Sequence, residues 1–113
     1  MKNQYNLRGR IWIELGDKAF LGSGKADLLR CTARLGSLRQ AALELGISYR
    51  QAWYTIDRLN KLAGSPVIIF QRGGKKGGSA VLTDFGTSIL DQFDRSQEEF
   101  DSFLNRQNEI SIT

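Results

Sequence analysis

Residues 36–64, GSLRQAALELGISYRQAWYTIDRLNKLAG, decide the fold. Leu38, Ala41, Ala42 and Leu45 recur at helical spacing, and Ser37 stands where a hydroxyl can accept from an otherwise orphan amide at a helix start. Gly46-Ile47-Ser48 then breaks the pattern. Gly46 allows the positive φ of a tight turn, Ile47 plugs the corner, and Ser48 caps a second helix. In that helix Ala52, Trp53, Ile56, Leu59 and Leu62 form the apolar stripe expected to be buried. Ala41 and Ala42 are small enough to let the two helices approach closely. Gly64-Ser65-Pro66 stops the second one. The segment therefore predicts a helix-turn-helix.

Working outward, residues 7–15 alternate, with Ile11, Ile13 and Leu15 on one face and Arg10, Trp12 and Glu14 on the other, as in a half-buried strand. Phe20 and Leu21 read either as a short return strand or as packing beneath the next helix. Gly22-Ser23-Gly24 reads as a turn. Residues 26–35 form a helix with Leu28, Leu29 and Leu35 inward, ended by Gly36. On the other side, residues 67–71 (VIIFQ) and 80–82 are strands, and the run 72–79 (RGGKKGGS) is the loop of a basic hairpin. Thr83 caps a long helix over 84–106. Along it Leu90, Phe93, Phe100 and Leu104, with Ile89 beside them and Gln97 as a polar interruption, make a stripe suited to a partner helix. Residues 109–113 read equally as a short strand or an irregular end.

The fold class is thus mainly α with a small β-hairpin, a winged helix-turn-helix followed by a long C-terminal helix. Its divisions are a DNA-binding domain at 1–83, a dimerisation helix at 84–107 and a tail at 108–113.

Charge points the same way. Residues 1–83 hold 14 Lys and Arg against 5 Asp and Glu, whereas residues 84–113 hold 2 against 7. A basic body faces a polyanion. The outward residues of the second helix are Tyr49, Arg50, Gln51, Tyr54, Thr55 and Arg58. Arg50 suits the two acceptors of guanine and Gln51 the edge of adenine. Thr55 suits a thymine methyl or a phosphate, while Tyr49, Tyr54 and Arg58 suit the backbone. Ser37, Arg39 and Ser48 stand at helix starts, where free amides receive phosphate oxygens. In the wing, Arg72, Lys75, Lys76 and Ser79 are the candidates. The expected partners are double-stranded DNA and a second copy of the chain. Whether a separate effector-sensing partner exists is left open.

Several classes are disfavoured. Histidine is absent, which removes the commonest general base and metal ligand. No catalytic set, metal site or cofactor is expected, and the chain reads as a non-enzyme. Gly22-Ser23-Gly24-Lys25 resembles the end of a phosphate-binding loop, but Ala19 and Ala26 stand where that motif needs Gly and Ser or Thr. The single cysteine, Cys31, lies in an apolar helical pattern and reads as a small buried side chain. A winged helix that binds proteins without DNA is the alternative, disfavoured by Arg50 and the basic wing. RNA is disfavoured because a helix does not enter the narrow A-form major groove. No run approaches the ~20 apolar residues that span a bilayer, so the expected location is the cytoplasm and not a membrane.

The segment 36–64 resembles the DNA-binding domains of LysR-type bacterial regulators. Leu82-Thr83 with Phe85-Gly86 resembles the opening of their linker helix. A closer likeness is to the N-terminal domain of ModE-type, molybdate-responsive repressors. It is carried by Gly46-Ile47-Ser48-Tyr49-Arg50, by Ala52-Trp53, and by the glycine-lysine run 73–78 leading into Ala80-Val81-Leu82-Thr83. The resemblance implies a reading head and a dimer helix. The oxyanion-sensing module of that family is expected to be absent, because few residues follow the last helix, and molybdate binding is not carried over.

Overall fold

A computed structural model of the chain describes residues 5–71 and 79–109. The element order is β1 (Ile13–Leu15), β2 (Lys18–Leu21), α1 (Ser23–Leu35), α2 (Leu38–Leu45), α3 (Tyr49–Ala63), β3 (Ile68–Gln71), β4 (Ser79–Leu82) and α4 (Asp84–Asn108). This is the winged helix-turn-helix that the residue pattern predicts. Each predicted cap forms. Ser37 Oγ accepts from Gln40 N at 3.1 Å and Ser48 Oγ from Gln51 N at 3.0 Å. Thr83 Oγ1 accepts from Gly86 N at 2.9 Å. Gly46 adopts φ 70°, and its amide and that of Ile47 close the turn onto the end of α2.

The core gathers one face of each element: Phe20 and Leu21 from β2, Leu28 and Leu29 from α1, Ala41 and Ala42 from α2, Ile56 and Leu59 from α3, Val67 and Ile68 from β3 and its approach. Burying a side chain such as Ile56 or Leu59 contributes about 1.5–3 kcal/mol. Phe20 and Leu21 therefore do both things the sequence allowed, pairing in β2 and packing beneath α1.

The strand expected over residues 7–15 is shorter. β1 pairs only from Ile13, opposite Leu21, and the register shifts between Ile13 and Glu14. Past Leu21 the chain turns into α1, so no partner strand remains for residues 7–12. They run instead along the far half of α4. Asn108 holds Leu7 there by two bonds, donating to the Leu7 carbonyl at 3.1 Å and accepting from its amide at 2.7 Å. Gly9 meets the Phe100 ring so closely that a Cβ would lie 2.7 Å from its Cζ. Trp12 keeps to the polar face as expected, donating to Glu14 at 3.1 Å. Helix α1 also begins earlier than predicted, at Ser23, taking in the glycine-rich turn. Leu15 and Leu35, expected inward, are exposed at the rim.

The β3–β4 hairpin is antiparallel, Ile68 opposite Leu82 through Gln71 opposite Ser79. It is fixed to the body at three places. Ala80 N donates to the Gly36 carbonyl at 3.0 Å. Asn60 of α3 accepts from Val67 N at 2.7 Å and donates to the Ile68 carbonyl at 3.1 Å. Thr83 donates to the Pro66 carbonyl at 2.7 Å. The first turn of α4 then presses on the same segment: a Cβ on Gly86 would lie 2.3 Å from the Val67 carbonyl oxygen.

Helix α4 is about 37 Å long at 1.5 Å per residue. The molecule measures 62 × 30 × 20 Å, and α4 is covered differently along its length, by the helical body at its near half and by the segment around Leu7 and Gly9 at its far half. The near half packs on α1. Leu90 and Phe93 enter the core at 7% and 2% exposure, and Arg30 bridges Asp27 at 2.8 Å and Asp94 at 2.6 Å. The far half carries Phe100 and Phe103, stacked at 6.3 Å, and Phe103 is 41% exposed. Among the described residues, no helix is long and apolar enough to cross a membrane.

Candidate nucleic-acid interface

Helix α3 presents an uninterrupted outward face because its buried residues, Ala52, Ile56 and Leu59, occupy a narrow strip. Opposite that strip Arg50, Tyr54 and Arg58 stand in one i, i+4, i+8 row, with Gln51 and Thr55 in the row beside them. Arg50, Gln51, Tyr54 and Arg58 are exposed. The Arg50 guanidinium lies 5.6 Å from the Tyr54 ring centroid, near enough to orient it by the ring's negative face. Among the described residues neither Arg50 nor Arg58 enters an ion pair; the one carboxylate on this part of the helix, Asp57, is held by Lys61 at 2.8 Å. The face is therefore net cationic.

Arg39, at the start of α2, stacks 4.2 Å above the Tyr49 ring at the start of α3. This contact draws the first turns of the two helices, with caps Ser37 and Ser48, to the same end of the site. Both cap hydroxyls accept from their own helix and keep a proton to donate outward. Thr55 differs: its hydroxyl donates back to the Gln51 carbonyl at 2.9 Å, leaving the methyl and the oxygen's lone pairs for a ligand. Ser79, the wing candidate within the described residues, donates to Gln71 Oε1 at 3.5 Å at the open end of the hairpin. Arg72, Lys75 and Lys76 lie outside the described residues.

Three expectations need correction. Trp53 is not in the core; it is 40% exposed, edge-on to Tyr54 at 5.5 Å. It follows Ala52 by about 100° of helical turn and so falls on the border of the strip. Leu90 and Phe93, expected at a pairing surface, are buried in the domain's own core, because α1 lies close enough to take them. Of that stripe, Ile89, Gln97, Phe100 and Leu104 stay half-buried. Cys31 is half-buried, not fully enclosed. Its thiol donates to Glu44 Oε2 at 2.9 Å, and Arg34 donates to the same carboxylate. The hydrogen bond to Glu44, and then desolvation, raise the thiol pKa above its ordinary value, while Glu44 is lowered chiefly by the same bond. That is the opposite of an activated nucleophile.

Asn60 is the positioning residue the sequence pattern misses. Its amide joins the late part of α3 to β3 and so fixes the hairpin relative to the outward face.

A helix-turn-helix with a cationic second helix and a clamped hairpin defines a winged helix-turn-helix protein. Residues 25–87 match the family described as bacterial regulatory helix-turn-helix protein, lysR family, and the chain belongs to that family. It is a family of regulators and not of enzymes. Among similar curated proteins, the molybdenum transport protein ModE of Azotobacter vinelandii is 36% identical over 89 residues, 79% of this chain and 33% of that protein. The molybdenum-pterin-binding protein MopB of Rhodobacter capsulatus is 40% identical over 72 residues, 64% of this chain and 27% of that one. The DNA-binding transcriptional dual regulator ModE of Escherichia coli K12 is 37% identical over 84 residues, 74% and 32% respectively. The chain spans about a third of the length of these relatives.

Proposed function

We propose that the chain is a sequence-specific, double-stranded DNA-binding transcription regulator acting as a homodimer. The observation that carries the reading is the exposed row Arg50, Tyr54 and Arg58 with Gln51 beside it, flanked by the Arg39–Tyr49 stack. A B-form major groove, about 12 Å wide, admits a helix. With α3 seated there, Arg50 addresses guanine and Gln51 adenine, each such pair worth about 1–3 kcal/mol of discrimination. Ser37, Arg39, Ser48, Tyr49, Tyr54 and Arg58 hold phosphates and sugars and fix the register. Arg72, Lys75 and Lys76, which the sequence puts between β3 and β4, and Ser79 at the start of β4 follow the backbone or the adjoining minor groove.

The far half of α4 supports the dimer. Phe103 is 41% exposed and Leu104 half-buried beside it, on a side of α4 where, among the described residues, the same chain supplies only the segment around Leu7 and Gly9 as cover. A second α4 covers that side, and two copies of α3 then meet successive major grooves about 34 Å apart or a multiple of it.

Selection from a random duplex pool, followed by sequencing, tests both parts. The expected product is an inverted repeat. Enrichment of a single asymmetric site would remove the dimer and keep the DNA reading. No enrichment would remove both. In parallel, the double substitution Phe103→Glu, Leu104→Glu should yield monomers by sedimentation, because neither side chain lies in the core.

A further inference from the structure

The flank of α3 away from the hairpin carries a second group of cations, brought together from three elements. Lys18 of β2, Lys25 in the first turn of α1, and Arg58 and Lys61 of α3 line one shallow hollow with Ala19 and Leu62. The hairpin reaches α3 at Asn60. Leu62 follows Asn60 by two residues, about 200° around the helix, so the hollow and the hairpin occupy opposite flanks. Lys25 also borders Gln51 and Thr55 in the next hollow along α3, which brings the group up to the outward face. Among the described residues Lys18, Lys25 and Arg58 enter no ion pair, whereas nearby Asp57 and Asp27 are occupied by Lys61 and Arg30; Asp17, in the turn before Lys18, and Glu14, opposite Ala19 on β1, are further acids on this side. The first turn of α1 adds to the field. It begins at Gly22 with no side-chain cap and has no acidic residue, so its amides face outward unneutralised.

We propose that Lys18, Lys25 and Arg58, with the open start of α1, form a second DNA-phosphate surface that holds the backbone on the opposite wall of the groove from the hairpin. The proposal rests on the DNA reading above and extends it. The helix is then held from two flanks, by this cationic surface on one and by the hairpin on the other. Gly22-Ser23-Gly24-Lys25 acquires a role without being a nucleotide-binding loop: it delivers an amide-rich turn and one lysine to a phosphate.

The test is the salt dependence of binding to a fluorescein-labelled random-sequence duplex, read by anisotropy from about 50 to 200 mM salt. Each phosphate contact contributes about 0.9 to the slope of log affinity against log salt, so Lys18→Gln with Lys25→Gln should make the slope shallower by about 1.8. Lys18 is exposed and Lys25 half-buried, and an unchanged thermal midpoint shows that the fold is kept. As a second measurement, phosphate-ethylation interference should show a cluster of essential phosphates that the double variant no longer requires. If the wild-type protein binds and the variant keeps its slope and its interference pattern, the second surface is refuted and the DNA reading stands. If the wild-type protein binds no duplex, both fall.

Discussion

Replacing Asn60 with Ala is the sharpest test of how the hairpin is oriented. The side chain makes two well-formed hydrogen bonds, 2.7 Å from Val67 N and 3.1 Å to the Ile68 carbonyl. Val67 is wholly buried and Ile68 nearly so. Each bond is worth about 0.5–1.5 kcal/mol net, and a buried group left without a partner costs about 1–3 kcal/mol. Among the described residues Val67 N has no other acceptor, so truncation loses the bonds and strands a donor. The combined loss is about 2–6 kcal/mol, roughly 10–30 °C in thermal midpoint for a domain of this size. Ser48→Ala is the internal control: it removes a single exposed cap and should cost about 1 kcal/mol. Urea unfolding followed by circular dichroism measures both. If Asn60→Ala costs no more than Ser48→Ala, the amide is not the tie between α3 and β3, and the fixed geometry of hairpin and helix loses its basis.

Gly86→Ala should destabilise by about 1–3 kcal/mol or more, since the new Cβ would fall 2.3 Å from a backbone oxygen that cannot swing aside; a neutral result by urea unfolding would contradict the packing of α4 on β3. Glu44→Gln removes the carboxylate that keeps the Cys31 proton in place, so the thiol pKa should fall and iodoacetamide should alkylate Cys31 faster at pH 8; an equal or slower rate would contradict the Cys31–Glu44 bond. Arg50→Ala should weaken the selected site by about 1–3 kcal/mol and relax preference at one base step; an equal loss on all sequences would assign Arg50 to the backbone.

The helices were legible because their signals are local. Apolar spacing marks α1 to α4, and Ser37, Ser48 and Thr83 announce three starts with side chains that bond three residues ahead. Three things were hidden because they depend on distant neighbours. Alternation over residues 7–15 gives a pleat but not the length of the partner, and β2 ends at Leu21. The stripe on α4 says which residues avoid water, not whether α1 or a second copy covers them. Trp53 sits on the border of its helical strip, where spacing alone does not decide burial. The same holds within the candidate site. The outward row on α3 follows from helical geometry, but the roles of Asn60, Lys18 and Lys25 arise only when separate segments fold onto one helix.

The central claim is that the outward row of α3 enters duplex DNA. Amide chemical-shift mapping of the labelled protein with its selected duplex tests it directly. The account predicts the largest changes over residues 48–58, with smaller ones at Ser37 and Arg39. Changes confined to α4, or none at saturating duplex, would contradict it.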